Sequence, residues 1–225
     1  MNSELRVAGS ESRVLKLFSS VIVGFSFMLI LMSFVSTDLF GQRFEGGLLA
    51  GFNASQVDGD HISGYHKPGV LLGGYVQTDI SNRVYLGTEL KYSQKGSRKN
   101  PDPKSQDQGK YIMRLGYFEV PAYIGLRTGE TVSVFTGASV GYMAHGTEHD
   151  NYGELEDIEK RPFNTFDFQA FIGVRFELTK RITLDVRGAY SLLPIRDLPG
   201  EAVSYWLDDE YNNVLSTSLY YRLDR

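Results

Sequence analysis

Four histidines, His61, His66, His145 and His149, are the side chains best suited to acid–base chemistry, and Ser63 lies near the first two. His145 and His149 stand beside Glu148 and Asp150. A hydrolytic site needs a nucleophile, an imidazole and an orienting carboxylate, and those residue types are present here. No Gly-x-Ser-x-Gly nucleophile elbow accompanies them, and loop histidines are usually solvated. The expectation is therefore no catalytic residue and no enzymatic activity, with a rim-site lipid-modifying or proteolytic enzyme as an alternative. There are no cysteines, which removes disulfides, thiolate metal sites and thiol nucleophiles.

Metal ligands would have to come from carboxylates. Glu148, Asp150, Glu154, Glu156, Asp157 and Glu159 stand against Lys160 and Arg161, while Asp197, Glu201, Asp208, Asp209 and Glu210 stand against Arg196. Oxygen-rich clusters can take calcium. Neither Asp58-Gly-Asp60 nor Asp208-Asp209-Glu210 completes a calcium-loop signature, so a solvated acidic surface with no metal or cofactor is expected. The net charge of −4 argues against a nucleic-acid partner. Tyr205 and Trp206 form the most recognition-like pair, since exposed Trp and Tyr concentrate at binding hot spots, with packing over the barrel mouth or anchoring at the lipid interface as the favoured alternative.

The elements that must carry these residues are strands. From Phe166 to Leu178 every even-numbered residue is apolar, while the odd set includes Asp167, Gln169, Arg175 and Glu177. A period of two puts alternate residues on opposite faces, one oily and one charged. The stripe is as long as a tilted membrane-crossing strand, about 9 to 11 residues. Seven other stretches alternate similarly: Phe44 to Ser55, Pro68 to Thr78, Arg83 to Ser93, Tyr111 to Arg127, Val132 to Met143, Ile182 to Leu192 and Asn213 to Leu223. In the fourth, the apolar parity changes between Leu115 and Phe118, which predicts a β-bulge around Tyr117 to Pro121.

Tight joints (Asp79 to Asn82, Thr128 to Thr131, Thr179 to Arg181) alternate strictly with long ones (Val57 to Lys67, Gly96 to Lys110, Ala144 to Thr165, Leu193 to Asn212). All long loops then leave from one end. The pattern predicts an all-β fold, an eight-stranded antiparallel up-and-down transmembrane β-barrel with short periplasmic turns and longer extracellular loops.

Phe44, Tyr92, Tyr111, Tyr142, Phe166, Phe176, Tyr190 and Tyr221 share the apolar parity near strand ends and are expected to form aromatic girdles facing lipid. The opposite parity carries Glu89, Lys91, Arg114, Glu119, Asp167, Arg175, Glu177, Asp185, Arg187 and Arg222, expected as a salt-bridged interior network. Eight strands leave room for little besides side chains. A rigid plugged barrel is favoured over a narrow passive channel.

Arg6, Arg13 and Lys16 precede an apolar run from Leu17 to Val35, the order of a secretory signal. Residues 1–41 are expected to be removed between Gly41 and Gln42, leaving a barrel domain over 42–225.

Tyr117-Phe118-Glu119-Val120-Pro121 resembles the Tyr-Leu-Glu-Ile-Pro motif of the PorT-like, porin-family outer-membrane barrels of Bacteroidota. Gly47 to Asn53 resembles that family's first strand, and Phe166 to Leu178 its sixth. The resemblance implies an outer-membrane barrel, with some members linked to secretion and gliding machinery. Leu223-Asp224-Arg225 departs from the aromatic ending usual there. The expected partners are outer-membrane lipid and lipopolysaccharide, to whose phosphates divalent ions could bridge the acidic loops, and a secretion-system or surface protein.

Overall fold

The computed structural model describes residues 44–60, 62, 64–101, 109–155, 162–197 and 209–223. The signal segment, Tyr205 and Trp206 lie outside them. The strands are β1 (Phe44–Asp58), β2 (Lys67–Asp79), β3 (Val84–Lys95), β4 (Arg98–Lys99), β5 (Tyr111–Arg127), β6 (Val132–His149), β7 (Phe166–Glu177), β8 (Ile182–Ser191) and β9 (Tyr211–Arg222). β3 and β4 pair with β5 in one continuous register, Lys95 opposite Leu115 and Arg98 opposite Ile112, so they form a single stave. Gly96 joins them at φ 130°, where a Cβ would lie 2.1 Å from the Met113 carbonyl oxygen. Only glycine fits that joint.

Every pairing is antiparallel, in the order β3-β2-β1-β9-β8-β7-β6-β5, and β5 pairs back onto β3. Eight staves therefore close into a barrel with no free edge. At the end holding the short joints, side-chain hydroxyls tie the turns. Ser81 Oγ accepts from the Val84 N–H at 3.1 Å, and Thr179 Oγ1 accepts from the Ile182 N–H at 3.0 Å. This local chemistry lets the chain reverse in few residues.

The period of two sorts the side chains as the membrane requires. Phe52 and Ile172 are each 69% exposed on the outer wall, whereas Arg175 is 4% and Asp185 0% exposed inside it. Apolar atoms would not face water in such a continuous band. Facing acyl chains, they are in their preferred medium.

β5 departs from the sequence expectation. It does not change phase, because its odd-numbered residues from Met113 to Gly125 stay inward throughout. Met113, Leu115 and Tyr117 face in because the lumen itself turns apolar near the outer mouth, where they meet Val57 and Ile195. The bulge belongs to β6: Gly116 pairs with His145 and Tyr117 with Met143, leaving Ala144 as the extra residue. Below it Ser133, Phe135 and Ser139 face in; above it Glu148 turns in and His145 out. Pro121 leaves a gap in the β3–β5 ladder, beside which Thr88 Oγ1 donates to the Pro121 carbonyl at 2.9 Å.

Candidate functional site

The lumen holds a chain of buried charges that alternate in sign. At its inner end Asp185 accepts from Arg175 Nε at 2.7 Å and Arg187 Nε at 2.8 Å. Glu89 is the hub: its oxygens accept from Arg187 at 2.9 and 3.2 Å, from Arg175 at 3.3 Å and from the Tyr220 hydroxyl at 2.6 Å. Lys91 lies 3.6 Å from Glu89 and 3.5 Å from Glu119, linking the tiers. Lys95 then joins Glu119 to Asp167. Ser191 Oγ donates to Asp167 at 2.7 Å and Asn212 Nδ2 at 2.8 Å.

Four carboxylates (Glu89, Glu119, Asp167, Asp185) thus meet four cations (Lys91, Lys95, Arg175, Arg187), and the network is neutral. Neutrality matters because an unpaired ion held away from water costs several kcal/mol. The arginines gain further from rings: the Arg175 guanidinium carbon lies 4.4 Å from the Tyr123 centroid and 4.5 Å from that of Tyr220.

Beyond this network, toward the long loops, Val57, Met113, Leu115, Tyr117 and Ile195 form an apolar plug with Phe163 packed against it. Ile195 enters because the segment after β8 folds back over the mouth. Its N–H donates to the Glu210 carbonyl at 2.8 Å, and its carbonyl accepts from the Asn164 N–H at 2.7 Å. Arg196 clamps the segment, reaching Glu148 at 2.8 and 3.0 Å and Glu210 at 2.9 Å. Burial would lower the Arg196 pKa, but the bonds to Glu148 and the charge of Glu210 raise it above the ordinary arginine value. The β6 bulge is what makes the clamp, since without Ala144 the side chain of Glu148 would point outward.

Several sequence expectations are corrected. Arg114 sits exposed on the outer face rather than inside, because β5 keeps one phase. Glu177 keeps the inward parity but lies exposed at the inner mouth. Arg222 is half-exposed there and pairs with Glu45 at 3.0 Å. Tyr111 turns inward, donating to Glu148, and does not belong to the girdle. Glu148 and Glu210, expected in solvated acidic loops, are 4% and 2% exposed. Phe44, Tyr142, Phe166, Phe176, Tyr190 and Tyr221 are exposed on the outer wall and Tyr92 is half-buried against Phe118. His145 lies on that wall too, with its ring 6.4 Å from that of Tyr92.

Sequence reasoning missed Lys95, Tyr220, Asn212 and the Arg196 clamp. Lys95 was legible, because the inward series Glu89, Lys91, Ser93 continues to it without interruption. Arg196→Met is expected to free the segment 193–197 while leaving the barrel folded. Limited proteolysis of the vesicle-embedded protein should then cut the outer loops at least about tenfold faster, since local opening controls cleavage.

A closed antiparallel barrel, apolar outside and ionic within, defines an integral β-barrel membrane protein. Residues 33–197 match the family model described as outer membrane protein beta-barrel domain. The chain belongs to that outer-membrane β-barrel family and resides in the outer membrane. Among solved structures it is similar to Ail, the attachment invasion locus protein of Yersinia pestis, at 18% identity and a TM-score of 0.48, over 80% of this chain and 99% of that one. Neisserial surface protein A is similar at 14% identity and a TM-score of 0.49, over 81% of this chain and 99% of the other. No curated protein matches in sequence.

Proposed function

We propose that this protein is a non-enzymatic, non-conducting barrel that holds its outer loops rigidly for contact with a surface or secretion partner, in lipopolysaccharide-bearing membrane. The observation that carries the reading is the filled lumen. A neutral ladder of ion pairs occupies its middle and the Ile195 plug its outer mouth. At the inner mouth, a pocket bounded by Tyr75, Tyr85, Arg127, Arg175 and Tyr220 encloses only about 40 Å³. That is room for a few waters. A rigid scaffold of this kind suits recognition, because loops on it lose less entropy on binding. The accessory secretion role rests on the resemblance of Tyr117 to Pro121 to the PorT-like barrels of Bacteroidota.

Planar-bilayer recording tests this directly. The purified barrel is expected to give no discrete openings at any moderate voltage. Reproducible unitary steps from the wild type would replace the scaffold with a channel.

A further inference from the structure

Among the described residues, cations on the outer wall near the long loops gather on one side of the barrel. Arg98, Lys110 and Arg114 stand on the outer face of the β4–β5 side, and Arg114 has no ion pair among the described residues. Across the barrel, on β1, β8 and β9, the rim carries Gln56, Asp58, Tyr190, Tyr211 and Asn213, with no lysine or arginine among these outward positions.

The cationic side has a definite floor. Tyr92 and Phe118 pack with centroids 5.6 Å apart, and the His145 ring stacks on Tyr92 over Gly116. A Cβ at Gly116 would lie 2.2 Å from the His145 ring, so the glycine leaves the space the imidazole fills. Such rings, with polar edges, sit at the boundary between acyl chains and headgroups. Arg114 is the second outward position beyond Phe118 on β5. That places it about 13 Å along the stave, or roughly 10 Å further out once strand tilt is included. This is headgroup depth. Arg98 stands one outward position further, opposite Ile112, and its Nε donates to Asn100 Oδ1 at 2.8 Å. Asp150 and Glu154 belong to the hairpin beyond the end of β6, further out than Arg114.

We propose that Arg98 and Arg114, with Lys110, bind the phosphate of an outer-leaflet glycolipid whose acyl chains lie against Tyr92, Phe118 and Tyr142. The assignment rests on the reading of the chain as embedded in lipopolysaccharide-bearing membrane and adds to it a face and a chemistry. A guanidinium offers a fork of donors that matches phosphate oxygens, which a bare aromatic rim cannot supply. The occupant is a lipid because the cations border an apolar wall that already faces acyl chains.

The test uses the full barrel domain in phosphatidylcholine nanodiscs titrated with phosphorylated lipid A, dephosphorylated lipid A or inorganic phosphate. Each removed charge is expected to weaken phosphorylated lipid A about fivefold, and Arg98→Gln with Arg114→Gln roughly twenty-five-fold. Arg83→Gln, in an inner turn, should change nothing. Equal binding of phosphorylated and dephosphorylated lipid A, an unaffected double variant, or competition by inorganic phosphate at matching concentration would overturn the proposal while leaving the membrane assignment intact. Failure of the wild type to enter nanodiscs would overturn both.

Discussion

Replacing Glu89 with alanine is expected to destabilise the folded barrel by about 3 to 5 kcal/mol, the usual cost of leaving a buried charge without its partner. Glu89 takes bonds from Arg175, Arg187 and Tyr220 and lies beside Lys91. Its removal leaves Asp185 to neutralise two guanidiniums that now repel each other, and leaves Lys91 with Glu119 alone. Tyr123, Phe135 and Phe171 pack against the two guanidiniums and limit the water that could replace its charge. Glu89→Gln keeps an acceptor for Tyr220 and should cost less. Glu177→Ala, at the exposed inner mouth, should shift stability by under about 0.5 kcal/mol. Urea titrations of folding into lipid vesicles measure all three. A Glu89→Ala barrel as stable as wild type would mean that the interior ions are solvated and the lumen is wet.

Placing an arginine at Ile172 is expected to cost about 2 to 4 kcal/mol, the penalty for a cation on a barrel's lipid face near the midplane. Ile172 pairs with Thr136 and Gly188 in the middle of β7 and is among the most exposed apolar residues. In water, an exposed position of this kind would accept arginine at almost no cost. The same titration therefore separates a lipid-facing wall from a solvated one by the size of a single effect. Ile172→Val, which keeps the wall apolar, should fall within about 1 kcal/mol of the wild type.

Much of this architecture was legible because a strand encodes its two faces one residue apart. Phe166 to Leu178 showed both the oily and the ionic wall, and the alternation of short with long joints showed which ends lie together. Arg114 and Tyr111 were misplaced for one shared reason. Parity identifies a lumen-facing residue only while the lumen is polar, and here an apolar cluster stands near its outer mouth, so Met113 and Leu115 resembled a lipid-facing stripe. The bulge left no local mark, since nothing in Tyr142-Met143-Ala144-His145 demands an extra residue; the requirement comes from Glu148 needing to reach Arg196 across the mouth. That contact joins residues far apart in sequence and depends on a loop folding back. No periodicity carries such information.

The orientation of β7 supports the whole account, and the absence of native cysteine makes it directly measurable. A spin label attached to Ile172→Cys in proteoliposomes should collide freely with oxygen, which concentrates in the acyl region, and be shielded from a water-soluble nickel chelate. A label at that position exposed to nickel and shielded from oxygen would place the apolar wall in water and contradict the barrel as described.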